Sequence, residues 1–135
     1  MHEIEVRVRF CETDALGHVN NASYFQYMEE ARIRFFEDLG YKIEDKSKNW
    51  NFVVASVGCD FLSQAFFNQS IKIQTFVKKI GSKSFTLENM MVDAQTGKPI
   101  AKGHAVVVIF DFETQKSTSI PEYLYEGLTQ SLIHQ

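Results

Sequence analysis

Residues 10–24 read FCETDALGHVNNASY, and within this stretch an alternating segment gives way to a helical one. The loop between them carries the carboxylate of Asp14 and the imidazole of His18, and the carboxamides of Asn20 and Asn21 stand where the helical segment starts. The first four N–H groups of a helix lack a partner within it, and the helix dipole makes that end partly positive. A site of this kind can hold an oxyanion, while the adjacent acid can activate water.

The segments on either side of this loop have different periods. Upstream, residues 3–11 alternate and predict a half-buried strand, whose apolar face carries Ile4, Val6, Val8 and Phe10. Downstream, residues 21–39 repeat apolar side chains at steps of three and four. This predicts an amphipathic helix that buries Tyr24, Met28, Ala31, Phe35 and Leu39. Asn20 or Asn21 is a suitable N-cap for this helix, and Gly40 is well placed to end it.

The rest of the chain reads mainly as strands. Residues 41–51 predict a surface loop, and short apolar stretches follow at 52–57 and 60–67. Three longer strands come next: one ends near Ile80, one has Phe85, Leu87, Asn89 and Met91 on a single face, and one runs from Ile100 to Phe110. Pro121 suits the first turn of a short helix over residues 121–133. This order predicts an α+β fold, in which an antiparallel sheet of about five strands packs against one long helix.

Length and composition narrow the class of protein. At 135 residues, without a linker or an internal repeat, the chain is expected to form a single domain over residues 1–135. A net charge of −3 argues against a nucleic-acid partner, and no apolar run reaches the length of a membrane span. Two cysteines and the lack of a secretory leader favour reduced thiols in the cytoplasm. No CxxC motif or histidine pair has ligand spacing, so no metal site is expected.

Three segments together resemble a known family: residues 13–24 (TDALGHVNNASY), residues 29–32 (EEAR) and the predicted hairpin at 77–85 (VKKIGSKSF). They are similar to segments of the hotdog-fold acyl-CoA thioesterases of the 4-hydroxybenzoyl-CoA thioesterase-like family, and the resemblance covers about residues 3–130. It implies a sheet wrapped around one long central helix, and hydrolysis of an acyl-CoA thioester to a carboxylic acid and coenzyme A. It implies no cofactor, since coenzyme A is part of the substrate. It also implies a dimer or tetramer with the pocket between subunits.

The resemblance also implies roles for individual residues. Asp14 takes the place of the catalytic carboxylate, and the backbone N–H of Asn21 takes that of the group that polarises the thioester carbonyl. His18 matches the histidine of plant acyl-carrier-protein thioesterases, whose further catalytic asparagine is replaced here by Leu16. Asp14 would act as a general base or as a nucleophile, and the sequence does not choose between these roles.

Other side chains have a structural interpretation beside the functional one. Asn20 is an N-cap alone or also a substrate contact, and Tyr24 would line an apolar acyl tunnel together with Tyr27 and Met28. The hairpin side chains are solvated, or they contact the phosphates and pantetheine arm of coenzyme A, because lysine binds phosphate as a point charge; they are Lys79, Ser82, Lys83 and Ser84. Two other functions are open: a non-catalytic acyl-CoA-binding or sensor module, and a hydratase or dehydratase of acyl thioesters.

Overall fold

A computed structural model of the chain describes residues 2–41 and 51–133, and its main element is an antiparallel sheet. The strands are β1 (His2–Arg7), β2 (Phe52–Phe61), β3 (Ser70–Ile80), β4 (Ser84–Asp93) and β5 (Pro99–Asp111), and the short β6 (Lys116–Ser117) pairs with the end of β5. Their order across the sheet is β1-β3-β4-β5-β2. Alternate residues of β3 and β4 are buried, because neighbouring side chains of a strand point to opposite faces. One face of the sheet is therefore the core face.

Helix α1 (Asn21–Asp38) packs on the core face and contacts β1, β2 and β3. Its side chains Tyr24, Met28 and Phe35 are each no more than 3% exposed. Met28 lies directly against Gly103 of β5, where a Cβ atom would come within 2.5 Å of the Met28 Cε. The glycine therefore allows the helix to approach the sheet closely.

Hydrogen bonds close both ends of α1. The Asn20 Oδ1 accepts from the N–H of Ala22 at 3.0 Å, so Asn20 is the N-cap. At the other end Gly40 has a φ of 97°, its N–H donates to the carbonyl of Glu37, and the Tyr41 N–H donates to the carbonyl of Phe36. This pair of hydrogen bonds is a Schellman motif, in which glycine adopts the left-handed conformation. The predicted helix, its asparagine cap and its end at Gly40 are confirmed.

The first strand is shorter than the sequence predicted. β1 ends at Arg7, and Phe10–Glu12 form a 3₁₀ turn. The N–H of Val8 still donates to the carbonyl of Gln69, but the Glu12 N–H then closes the turn on the carbonyl of Arg9. Phe10 is 76% exposed, because the turn rotates it away from the core. The prediction of a strand through residue 11 with Phe10 on its buried face is therefore wrong.

The later elements agree better with the predictions. The stretches 52–57 and 60–67 are a single strand, β2, followed by a connection to β3. The three long strands are confirmed as β3, β4 and β5, and the short C-terminal helix is confirmed as α2 (Glu122–Gln130). The loop predicted over residues 41–51 falls mostly on residues 42–50, which lie outside the described residues.

A polar pair sits inside the otherwise apolar core face. The Asn89 Nδ2 donates to the Thr75 Oγ1 at 2.9 Å, and both residues are at most 1% exposed. One apolar cluster, including Ile73 and Met91, lies on one side of the pair. The other cluster, including Val77 and Leu87, lies on the opposite side along the same strands. The hydrogen bond is needed here because a buried amide without an acceptor costs free energy.

Replacing Thr75 by valine should lower the free energy of unfolding by about 1–3 kcal/mol, because the Asn89 amide loses its acceptor while the side-chain shape is kept. Urea denaturation measures this loss. Thr86→Val makes the same chemical change on the opposite face of β4, where the side chain is half-buried, and should change stability by less than about 0.5 kcal/mol. Equal losses in the two variants would contradict the assigned role of the pair.

Candidate active site

Asp14 lies in a tight loop, residues 13–19, which we call the acid loop. The Asp14 N–H donates to the carbonyl of His18 at 2.8 Å, and the Gly17 N–H donates back to the carbonyl of Asp14 at 3.0 Å. The Asp14 Oδ1 accepts from the backbone N–H groups of Leu16, at 2.9 Å, and of His18, at 3.2 Å. The other carboxylate oxygen, Oδ2, accepts no hydrogen bond from the part of the chain that the structure describes. Asp14 therefore shapes its own loop and still has one oxygen free for chemistry.

The start of α1 leaves one backbone donor free beside this loop. Ala22 donates its N–H to the Asn20 side chain, and Ser23 donates its N–H to the Asn20 carbonyl at 2.8 Å. The N–H of Asn21 has no partner within residues 2–41 and 51–133. The predicted role of Asn20 as the N-cap is thus confirmed, and its role as a substrate contact stays a prediction. The donor that the resemblance implied at Asn21 is available at the partly positive end of the helix.

An open pocket of about 340 Å³ brings the predicted residues together. Asp14, His18, Asn21 and Tyr24 line it, and residues 61–64, at the end of β2, form its other wall. The Tyr24 ring packs on that of Phe61 with centroids 5.2 Å apart. Burial raises the pKa of Tyr24, an effect partly offset by the backbone of Ala65, so its hydroxyl is neutral at pH 7. The lining of the pocket thus includes an acidic residue, the first residue of α1 and an aromatic wall.

The side chain of His18 is held by packing rather than by hydrogen bonds. Its ring meets that of Phe66 edge to face, with centroids 5.3 Å apart. Its backbone pairs with Phe66 as well. Neither ring nitrogen has a hydrogen-bond partner among the described residues, so both are available to a ligand in the pocket.

The predicted coenzyme A contacts lie elsewhere in the chain. Phe61, at the pocket, pairs with Ala101 of β5, whereas Ser84 pairs with Val108 of the same strand. At 3.3 Å per residue, this places the β3–β4 hairpin about 23 Å further along the sheet. The hairpin carries the predicted contacts Lys79, Ser82, Lys83 and Ser84. Lys78 and Lys79 line a separate cavity of about 530 Å³. Within one chain, the hairpin and Asp14 therefore do not share a pocket.

Sequence reasoning missed Glu12, a buried carboxylate next to the acid loop. Glu12 is only 8% exposed, and its Oε1 accepts from the Tyr27 hydroxyl at 2.9 Å and from the Arg9 N–H at 2.8 Å. Its Oε2 accepts from the Arg9 guanidinium at 3.1 and 3.2 Å. Alternation gave no signal for it, because β1 ends at Arg7, Phe10 is exposed, and Glu12 is buried from a 3₁₀ turn rather than from a strand.

The environment of Glu12 shifts two pKa values. Burial works to raise the pKa of Glu12, but the hydrogen bonds from Arg9 and Tyr27 outweigh it, so this pKa lies below its usual value. Burial, together with the hydrogen bond to Glu12, raises the pKa of Tyr27 well above its ordinary value. At neutral pH the pair is therefore a carboxylate that accepts a hydrogen bond from a neutral phenol.

Two other chemistries have little support at this site. Burial and the nearby Asp60 raise the pKa of the Cys59 thiol to about 11, so it is a poor nucleophile at pH 7. Among residues 2–41 and 51–133, no three His, Cys, Asp or Glu side chains are grouped so as to hold a metal ion.

None of the described helices is long and apolar enough to cross a membrane.

Comparison with known proteins places this geometry in a family. The family model of the thioesterase-like superfamily matches residues 8–128, and the chain belongs to this superfamily. Over 128 residues the chain is 27% identical to the long-chain acyl-CoA thioesterase FadM of Escherichia coli (strain K12), covering 95% of this chain and 97% of FadM.

Solved structures agree with this assignment. A predicted thioesterase from Bacillus stearothermophilus matches with a TM-score of 0.89 and 25% identity, covering 99% of this chain and 98% of that one. A thioesterase from Thermus thermophilus, complexed with coenzyme A and Zn, matches with a TM-score of 0.82 and 30% identity, covering 95% and 91%. The predicted hotdog fold and thioesterase family are therefore confirmed, and with them the expectation of a thioester hydrolase.

The ion pair at Glu12 should make stability depend on pH. Because folding lowers the pKa of Glu12 below its ordinary value of 4.5, the carboxylate stabilises the fold above that pH, and this contribution is lost as pH falls through the folded pKa. The free energy of unfolding of the wild type should thus fall more steeply than that of Glu12→Gln between about pH 5 and pH 3. Denaturant titrations across this range measure both slopes. The exposed Glu5→Gln variant should keep the wild-type slope, and parallel curves for wild type and Glu12→Gln would refute the assignment.

Proposed function

We propose that the protein hydrolyses acyl-CoA thioesters to a free carboxylic acid and coenzyme A. The observation that carries the proposal is that Asp14 and Asn21 line the same pocket, and that the Asp14 Oδ2 and the Asn21 N–H each lack a hydrogen-bond partner among the described residues. A thioester placed between them would have its carbonyl oxygen on a hydrogen-bond donor and its carbonyl carbon open to attack. The similarity to FadM, named a long-chain acyl-CoA thioesterase, supports the substrate class.

The reaction uses the two groups in turn. The thioester oxygen accepts from the Asn21 N–H, and the helix N-terminus stabilises the negative charge that develops on it. Asp14 either removes a proton from an attacking water, or attacks the carbonyl itself to form an anhydride that water then hydrolyses. In both routes the carbon–sulfur bond breaks and coenzyme A leaves as the thiol. We assign His18 an accessory role, a hydrogen bond from its ring to the attacking water or to the substrate.

The acyl group would begin its path beside Tyr24 and Phe61, which form the aromatic wall of the pocket. The deeper side chains predicted to line a tunnel are closely packed, since Tyr27 is 4% and Met28 is 1% exposed. Met28 fills the space over Gly103. A long acyl chain would therefore have to displace the flexible Met28 side chain, whereas a short or aryl group would not reach it.

We propose that the protein forms at least a dimer through the outer edge of β2. In the described sheet this edge has no strand partner, and Val54, Val57 and Phe61 on β2 are 40%, 47% and 45% exposed. An unpaired strand edge with apolar side chains favours pairing with another chain. A second copy would pair antiparallel about a two-fold axis, and two such dimers would make the tetramer that is the alternative.

This pairing offers a role for the β3–β4 hairpin. Antiparallel pairing of two β2 strands sets the start of one strand beside the end of the other. The hairpin lies at the end of the sheet where β2 starts, and the acid loop lies at the end where β2 finishes. We therefore propose that Lys79, Ser82, Lys83 and Ser84 of one chain contact the coenzyme A bound at the acid loop of the other.

A cytoplasmic location of the protein remains a prediction, in keeping with the free thiols of Cys11 and Cys59.

Asp14→Asn should lower kcat by at least roughly 100-fold, because asparagine can neither deprotonate water nor attack the carbonyl. The loop should persist, since asparagine keeps the oxygen that accepts from Leu16 and His18. The measurement is release of free thiol from a panel of acyl-CoA esters of varied chain length plus an aryl-CoA.

Asp38→Asn is the control for this test, because Asp38 is an exposed carboxylate at the far end of α1, against His2 of β1 at the sheet edge opposite β2, and this variant should keep wild-type activity. An active Asp14→Asn variant would remove Asp14 from the mechanism. Saturable binding of acyl-CoA without thiol release by the wild type would establish the non-catalytic binding module instead. Addition of water to an enoyl thioester without thiol release would establish the hydratase.

The double substitution Lys79→Ala and Lys83→Ala should raise the KM for acyl-CoA by roughly tenfold and leave kcat nearly unchanged, because each exposed charge contact contributes up to about 1 kcal/mol. The same acyl group on pantetheine, which lacks the phosphates, should show no such change. Lys72→Ala on β3 serves as the control lysine. A KM that rises equally for both substrates would contradict phosphate binding by the hairpin.

A further inference from the structure

We infer that Glu12 is a positioning residue, which holds the acid loop in a fixed place relative to the first turn of α1. The inference rests on the proposed function, in which the Asp14 carboxylate and the Asn21 N–H have to act on one thioester. Neither Glu12 nor its partner Tyr27 is among the residues that line the pocket. Their effect on the reaction would therefore pass through the backbone.

The side chain of Glu12 joins two elements that are distant in sequence. It accepts a hydrogen bond from the hydroxyl of Tyr27, which lies in the second turn of α1. It also accepts hydrogen bonds from the backbone N–H and the guanidinium of Arg9, which lies in the segment after β1. All these donors point at one carboxylate that is 8% exposed. Hydrogen bonds to an ionised group that is shielded from water are strong and directional.

The backbone of Glu12 joins the same turn to the start of the helix. Its carbonyl accepts from the N–H of Asn20 at 2.9 Å and from the hydroxyl of Ser23 at 3.0 Å. Asn20 is the N-cap and precedes the Asn21 donor, while Glu12 precedes Asp14 by two residues. Glu12 therefore connects the two stems of the acid loop, next to the direct pairing of Thr13 with Val19.

The other attachments of the loop are at its second stem, where His18 pairs with Phe66 and the Val19 N–H donates to the carbonyl of Ala65. Asp14, Ala15, Leu16 and Gly17 are exposed, and the hydrogen bonds of the Asp14 carboxylate stay inside the loop. A shift at Glu12 would consequently move Asp14 relative to Asn21 without unfolding the loop. A misplacement of about 1 Å between reacting groups can cost roughly 100-fold in rate.

Two substitutions test this role at a temperature well below unfolding. Glu12→Gln replaces one acceptor by an NH₂ group that has to face donors of Arg9 or Tyr27, and it should lower kcat by roughly 10- to 100-fold with KM within about twofold. Tyr27→Phe removes one hydrogen bond and keeps the ring, so it should give a smaller loss, roughly 3- to 10-fold. Because it conserves the ring, it also keeps the test decisive if Glu12→Gln fails to fold.

Val107→Ala is the control for lost stability. Val107 is fully buried in the apolar cluster that contains Phe85 and Leu124, away from the acid loop. This variant should lose stability but keep the wild-type kcat. If Glu12 had only a structural role, its variants would behave in the same way, with a lower Tm and an unchanged kcat.

A second measurement does not depend on activity. The Asn20 amide should exchange its hydrogen at least roughly tenfold faster in Glu12→Gln than in the wild type, and Val107→Ala should leave this rate unchanged. If Asp14→Asn is inactive while Glu12→Gln keeps both the wild-type kcat and the wild-type exchange of Asn20, the inference is wrong. If the wild type cleaves no thioester, the proposed function fails, and the exchange rate alone still decides whether Glu12 holds the loop.

Discussion

The structure depends first on the burial of the apolar side of α1 against the sheet. Each large side chain that is fully buried there contributes about 1.5–3 kcal/mol, and Tyr24, Met28 and Phe35 are all buried. The contact also fixes the position of the helix, because Met28 reaches the sheet at Gly103 and not at a residue with a larger side chain. Once this contact is made, the first turn of α1 has to lie beside Phe61 at the end of β2.

The candidate site follows from that placement. A helix start brings unpaired N–H groups and a partly positive potential, and the loop that leads into it brings the carboxylate of Asp14. The loop is short, so its geometry is set by the hydrogen bonds at its stem, in which Glu12 takes part with both its side chain and its carbonyl. Packing thus decides where the site lies, and hydrogen bonding decides how accurately its groups are held.

Periodicity was sufficient to predict most of the fold. The alternation through Phe85, Leu87, Asn89 and Met91 holds as one buried face of β4, and the three- and four-residue steps hold as α1. Asp14, His18, Asn21 and Tyr24 could be named because they are close in sequence, and one pocket does contain them. In these cases the local pattern and the final environment agree.

The predictions failed where distant segments decide the outcome. Phe10 turns outward because the pairing with the distant segment at Gln69 ends at Val8, and the 3₁₀ turn then replaces the strand. The partners of Glu12 come from separate elements, so no short motif identifies them. The distance between the hairpin and the pocket depends on strand order and register, which the alternation of a single strand does not contain.

If two chains pair through the free edge of β2, the effect of a substitution in one chain depends on which substitution the other chain carries. Under the proposed pairing, each of two equivalent sites takes its acid and its carbonyl-polarising N–H from one chain and its cations from the other. A chain that lacks Asp14 would still hold coenzyme A for its partner, and a chain without the hairpin lysines would still supply a working acid. In a mixed dimer of these two chains, one site would contain both defects and the other would contain neither. The sheet edge would thus make each chain a contributor to its neighbour's reaction as well as to its own.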